Sequence, residues 1–254
     1  MIGIYKEYWK DIPVLVVVQD EKKDKPLPVL TYFHGYTSAK EHNLPLAFLL
    51  AERGYRVILP DSMLHGEREK FISNDERQLQ FFDIVEQNLI DMQVIKDVLD
   101  SKKMLLDRRL GVAGTSMGGI TTAAALTKYD WIKVAAVLMG SPKISEYAKE
   151  LVDHMRQMNT YIQISDEEIE KIYKSLEKID LSKHMDKLNG RPLFFWHGEK
   201  DSVVPFDHSY NFYSQAVSYY KNPESIRFLR EVGRDHKVSR FAVLETVDWL
   251  EMQL

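Results

Sequence analysis

An α/β fold, with a mostly parallel central sheet and helices on both faces, is what this 254-residue sequence predicts, and three observations carry it. From Val29 onward, short apolar runs alternate with stretches of helical spacing, the pattern of parallel strands joined by helical crossovers. Ahead of that alternation, two β-rich runs, Ile2 to Trp9 and Ile12 to Gln19, are separated only by Lys10-Asp11 and read as an antiparallel hairpin. Midway along the chain, the apolar run Leu110 to Ala113 meets Gly114-Thr115-Ser116-Met117-Gly118, and an Ala- and Thr-rich helical stretch follows. That is a G-x-S-x-G turn between a strand and a helix.

The elements follow in order. Val29 to Phe33 and Arg56 to Leu59 are apolar enough for buried strands, and Leu44 to Arg53 forms a helix between them, stopped by Gly54. Phe81, Val85, Leu89, Met92, Ile95 and Leu99 recur at helical spacing and predict a long helix leading into the Leu110 strand. Val134 to Met139, Leu193 to Trp196 and Ile226 to Leu229 supply three further strands, and Val238 to Leu250 closes the chain as a helix. The segment 141–189 breaks the rhythm. It is too long for an ordinary connection and is rich in charge, Met and Tyr. Two helices, Ile144 to Met158 and Asp166 to Ile179, make it a helical lid insertion within a single domain spanning 1–254. Tyr147, Met155, Met158, Tyr161 and Tyr173 are its candidates for facing a pocket.

Composition removes several classes of function. With 34 basic and 38 acidic residues, a net charge of −4 gives no basic excess for nucleic acid or an anionic membrane. The absence of cysteine excludes disulfides, thiolate nucleophiles and Cys-based zinc sites, and fits a cytoplasmic location. No apolar stretch is long enough to span a bilayer, and Ile12 to Val18, interrupted by Pro13, is a strand rather than a signal sequence. Neither a G-x-G-x-x-G after a strand nor a phosphate-binding G-x-x-x-x-G-K is present. His42, His154, His184, His197 and His208 lack metal-ligand spacing, so no cofactor and no metal are expected.

A glycine-rich strand-to-helix turn could serve packing or hold a phosphate; what separates these roles from nucleophilic chemistry is the presence of partners. A serine hydroxyl needs a base to take its proton and a carboxylate to orient that base. Asp201 follows the Leu193 strand and His236 follows the last strand, so both leave the carboxyl ends of strands, where sheets of this class place their sites. Asp235 is a rival acid, but a carboxylate adjacent to the histidine reaches that ring's Nδ1 with difficulty; Asp207 and Asp248 fall in or near helices. For the oxyanion, the N–H of Met117 supplies one donor and the N–H of Tyr36, in the loop after Phe33, the second, with Gly35 permitting close backbone approach. His34 reads as a loop-stabilising residue. His65, in the rim segment Pro60 to Arg68, is a candidate substrate contact together with Tyr36, and Arg68 is a further one.

With these loops in hand, the chain resembles the α/β-hydrolase superfamily. Among its members it is similar to small bacterial carboxylesterases on the branch near dienelactone hydrolases and prolyl-oligopeptidase catalytic domains. The resemblance runs through His34-Gly35-Tyr36-Thr37, Pro60-Asp61 with His65-Gly66-Glu67-Arg68, Gly114 to Gly119, Trp196-His197-Gly198 with Asp201 and Val204-Pro205, and His236. It implies an α/β-hydrolase fold with Ser116 as nucleophile, Asp201 as acid, His236 as base, and Tyr36 and Met117 as oxyanion donors. Similar enzymes carry glycine immediately before the histidine, where this chain has Asp235, and the dienelactone-type cysteine and any propeller domain are absent. The implied activity is hydrolysis of small carboxylic esters. Thioesterase, amidase or acyl-transferase chemistry, or a binding scaffold, stand as alternatives.

Overall fold

In the computed structural model, which describes residues 1–157 and 165–254, eight strands form one sheet in the order β1-β2-β4-β3-β5-β6-β7-β8. The strands are β1 (Ile2–Trp9), β2 (Ile12–Gln19), β3 (Leu27–Phe33), β4 (Arg56–Pro60), β5 (Leu105–Thr115), β6 (Val134–Leu138), β7 (Leu193–Gly198) and β8 (Ile226–Glu231). The N-terminal hairpin pairs antiparallel, Ile4 opposite Val17, and β2 joins β4 antiparallel, Leu15 opposite Leu59. Every other pairing is parallel. All of β3, β4, β6 and β7 is buried, which is why these strands read as unbroken apolar runs rather than as alternation.

Helices cover both faces. Helix α1 (Leu44–Glu52) and helix α8 (Arg240–Gln253) bury Leu46, Leu50, Val247 and Trp249 against one face. Helices α3 (Phe81–Ser101), α4 (Met117–Lys128) and α7 (Phe206–Ala216) bury Leu89, Met92, Ala123 and Phe212 against the other. At roughly 2 kcal/mol for each fully buried large apolar side chain, these two layers dominate the stabilising side of folding.

Two elements depart from the sequence reading. Strand β5 starts at Leu105, not Leu110, because Asp107 and Arg108 take left-handed backbone angles (φ 50° and 58°) and kink an exposed charged stretch that still belongs to the strand. A short helix α2 (Asn74–Leu79) is also present, started by a capping box in which Ser73 accepts from the Glu76 N–H while the Glu76 carboxylate accepts from the Ser73 N–H. Between β6 and β7 stand α5 (Ile144–Gln157) and α6 (Asp166–Glu177), the latter capped the same way by Ser165 and Glu168. No described helix is long and apolar enough to cross a membrane.

Candidate active site

Ser116 sits where β5 turns into α4, with φ 54° and ψ −114°, a conformation that L-residues rarely adopt. The glycines around it are demanded by space. A Cβ on Gly114 would lie 2.3 Å from the Gly118 carbonyl, and one on Gly118 would lie 2.0 Å from the Phe33 carbonyl oxygen. The Ser116 N–H is anchored to the Leu138 carbonyl (2.9 Å), so the strained turn is fixed by the neighbouring strand.

The residues that sequence places in three separate loops meet here. His236 Nε2 is 2.9 Å from Ser116 Oγ, and His236 Nδ1 lies 2.7 and 2.9 Å from the two Asp201 oxygens. Asp201 Oδ1 also accepts from the Val203 and Val204 N–H groups, both at 2.9 Å. His197 Nε2 also approaches Oδ2, at 3.1 Å, a partner that sequence reasoning passed over. Burial pushes the Asp201 carboxyl up, but the hydrogen bonds from His197, His236 and Val204 overcome that and hold it well below the usual carboxylate range. Asp235 turns elsewhere: its Oδ1 accepts from the N–H (3.2 Å) and hydroxyl (3.1 Å) of Ser202 and from the His236 N–H (2.7 Å), stitching the histidine loop to the aspartate loop. Asp235 thus braces the backbone and leaves ring Nδ1 to Asp201.

The loop after β3 supplies Tyr36. Among the described residues neither the Tyr36 N–H nor the Met117 N–H donates to another protein group, so both remain available. His34 is wholly buried; its Nδ1 donates to the Gly35 carbonyl (2.8 Å) and its Nε2 accepts from the Ser62 N–H (3.0 Å), which makes it a loop brace. Burial lowers its pKa to about 4. His65 corrects an expectation. It is buried, its Nε2 accepts from the Thr37 N–H (3.1 Å) and its Nδ1 donates to the Met63 carbonyl (2.9 Å), so no polar atom of the ring is left for substrate. Its work is to fix the residue after Tyr36, against whose ring it packs edge-on. Arg68 is likewise committed, to Asp91 and the Asp61 carbonyl. A Cβ on Gly35 would make only ordinary contacts, 3.5 Å or more, so steric need is not what places a glycine there.

Beside Met117 on the α3 and α4 face lies an apolar cluster in which Phe81 packs against Tyr36 and Tyr147. Tyr147 therefore faces the site region. Met155 and Tyr173 instead line a small cavity of about 40 Å³ between α2, α5 and α6, which touches none of Ser116, Asp201 and His236. Met158 and Tyr161 lie outside the described residues. His208, which shows no ligand spacing in sequence, is brought by α7 to Glu150 (3.2 Å) and within 3.9 Å of Glu146 on α5, while its Nδ1 bonds Ser141 (2.9 Å). This cluster gathers ligand-type atoms within 4.8 Å of one another, a juxtaposition created by the tertiary fold alone.

Residues 45–252 match the prolyl oligopeptidase family. The chain belongs to that family. This family member is a serine hydrolase. It is 42% identical over 255 residues to the Bacillus subtilis (strain 168) protein named "Putative esterase YitV", and 31% identical over 255 residues to Esterase YjfP of Escherichia coli (strain K12), each match covering both chains in full. The solved structure of TT1662 from Thermus thermophilus shares the fold at a TM-score of 0.78 with 18% identity, covering 100% of this chain and 98% of that one.

Proposed function

We propose that this serine hydrolase cleaves carboxylic esters of small or short acyl groups through Ser116, His236 and Asp201. The observation that carries the reading is the unbroken line of contacts from Asp201 through His236 to Ser116 Oγ, 2.7 and 2.9 Å at its two links. An imidazole held this way on one edge presents its other nitrogen as an acceptor to the hydroxyl.

In the first step His236 Nε2 takes the Ser116 proton as Oγ bonds to the ester carbonyl carbon. The carbonyl electron pair moves to oxygen, which receives hydrogen bonds from the Tyr36 and Met117 N–H groups. The tetrahedral intermediate collapses, the bond to the alcohol oxygen breaks, and His236 returns its proton to that oxygen. Water then attacks the acyl-Ser116 carbonyl by the same route and releases the carboxylic acid. The aromatic wall of Tyr36, Phe81 and Tyr147, in one cluster with Met117, is the natural seat for the acyl group. Residues 1–254 act as one domain, with 141–189 as a lid. The names of the two relatives support an ester substrate over a peptide.

The test is hydrolysis of a p-nitrophenyl ester series from acetate to long chains by wild type and Ser116→Ala. The reading expects rates that are highest for the short acyl groups and lost in the variant. Turnover that survives in Ser116→Ala would refute it.

A further inference from the structure

On the α1 and α8 face of the sheet, opposite the aromatic cluster, a cavity of about 530 Å³ opens against His236 and Thr115. Its floor is apolar, built from Leu46, Met139 and Val243. Its rim is made of donors. Lys237 lines it and has no carboxylate partner among the described residues. Asn43 lines it, makes no capping bond at the head of α1, and keeps a buried Nδ2 that has no partner among the described residues. His42 Nδ1 accepts from the Ala39 N–H (3.3 Å) and the Ser38 hydroxyl (3.0 Å), which leaves the ring hydrogen on Nε2. None of the residues lining the cavity is acidic.

We propose that this cavity is the leaving-group subsite and that it takes alcohols bearing a carboxylate. The inference rests on the esterase reading and extends it to the alcohol half of the substrate. Chemistry sets the side: His236 must hand its proton to the departing oxygen, so the alcohol lies against His236, and this cavity, bounded by described residues, meets His236. Tyr36, Met117 and the aromatic wall belong to the apolar cluster on the α3 and α4 face, where the acyl group goes. Electrostatics sets the class, because a rim of donors without a carboxylate attracts an anion and repels a cation. Lys237 and His42 share the cavity with Tyr32, Thr115, Met139 and His236, none of which is a carboxylate.

The substrate pair that tests this is 4-acetoxybenzoate and its methyl ester, which share one acyl group and differ in the charge of the departing phenol. The methyl ester has the better leaving group, so chemistry alone favours it. The subsite instead gives wild type a preference for the carboxylate. Lys237→Gln lowers the ratio of the two kcat/KM values by about fivefold, the worth of one partly exposed ion pair, and Lys237→Arg preserves it. Binding of 4-hydroxybenzoate to Ser116→Ala, followed by NMR, gives a readout without turnover, and Lys237→Gln in that background weakens it. Normal turnover with a ratio that Lys237→Gln leaves unchanged, and no 4-hydroxybenzoate binding, overturns the subsite. Binding that depends on Lys237 in a protein without ester turnover keeps the subsite and overturns the esterase reading instead.

Discussion

Two histidines share the Asp201 carboxylate, and they have opposite freedoms. His197, on β7, is fully buried; its Nε2 faces Asp201 and the Val204 carbonyl (3.0 Å), and its Nδ1 meets the Ser209 hydroxyl (3.2 Å), which itself donates to the Gly140 carbonyl. His236, in the loop after β8, gives one nitrogen to Asp201 and aims the other at Ser116. His197 is a brace because the hydroxyl it meets is itself spent on a carbonyl, whereas the Ser116 hydroxyl has no partner but His236 among the described residues and can give up its proton to it. The same contrast sorts His34 and His65 with His197.

The contrast breaks most visibly at its reactive end. Ser116→Ala should lower kcat on the order of a millionfold, and His236→Ala should match it, because residues that act as a unit fail as a unit. Stopped assays on the best p-nitrophenyl ester read both. Asp201→Asn should cost roughly ten-thousandfold, since the amide stabilises the wrong tautomer of His236. On the bracing side, His197→Phe removes one hydrogen bond to a charged group and should lower kcat by about tenfold, with urea unfolding run in parallel to separate this from loss of fold. If His197→Phe cost as much as His236→Ala, the distinction between brace and base would fail.

A separate effect concerns stability rather than turnover. The folded-state pKa of His34 is lowered by burial to about 4 from an ordinary 6.5, so the unfolded chain binds the proton more readily. Its contribution is fully present above pH 6.5 and is lost as pH falls from there toward 4, for a total of ~3 kcal/mol. Urea midpoints measured at pH 7 and pH 4.5 should differ, and His34→Gln should shrink that difference.

Sequence carried most of the sheet because its central strands are buried on both faces and so are apolar throughout. The hairpin was legible from Lys10-Asp11, and the three residues meeting at Ser116 were legible because each follows a strand whose end is known. What escaped was whatever depends on contacts between loops. His197 reaches Asp201 only because the chain turns back after Gly198, and a lone Trp196-His197-Gly198 does not announce that. His65 sat in the right segment, but its commitment to Thr37 and Met63 is visible only when both loops are placed. Helix α2 was missed because its signal is a capping box ahead of a polar turn, with no apolar periodicity to mark it. His208 met two glutamates of α5 through packing of helices far apart in sequence.

The central claim, that Ser116 is a nucleophile activated by His236, is tested most directly by reaction with a fluorophosphonate followed by peptide mapping. The account predicts one phosphonyl group per chain, carried on Ser116, absent in Ser116→Ala and slowed by orders of magnitude in His236→Ala. No labelling of the wild type, or labelling at another residue, would contradict it.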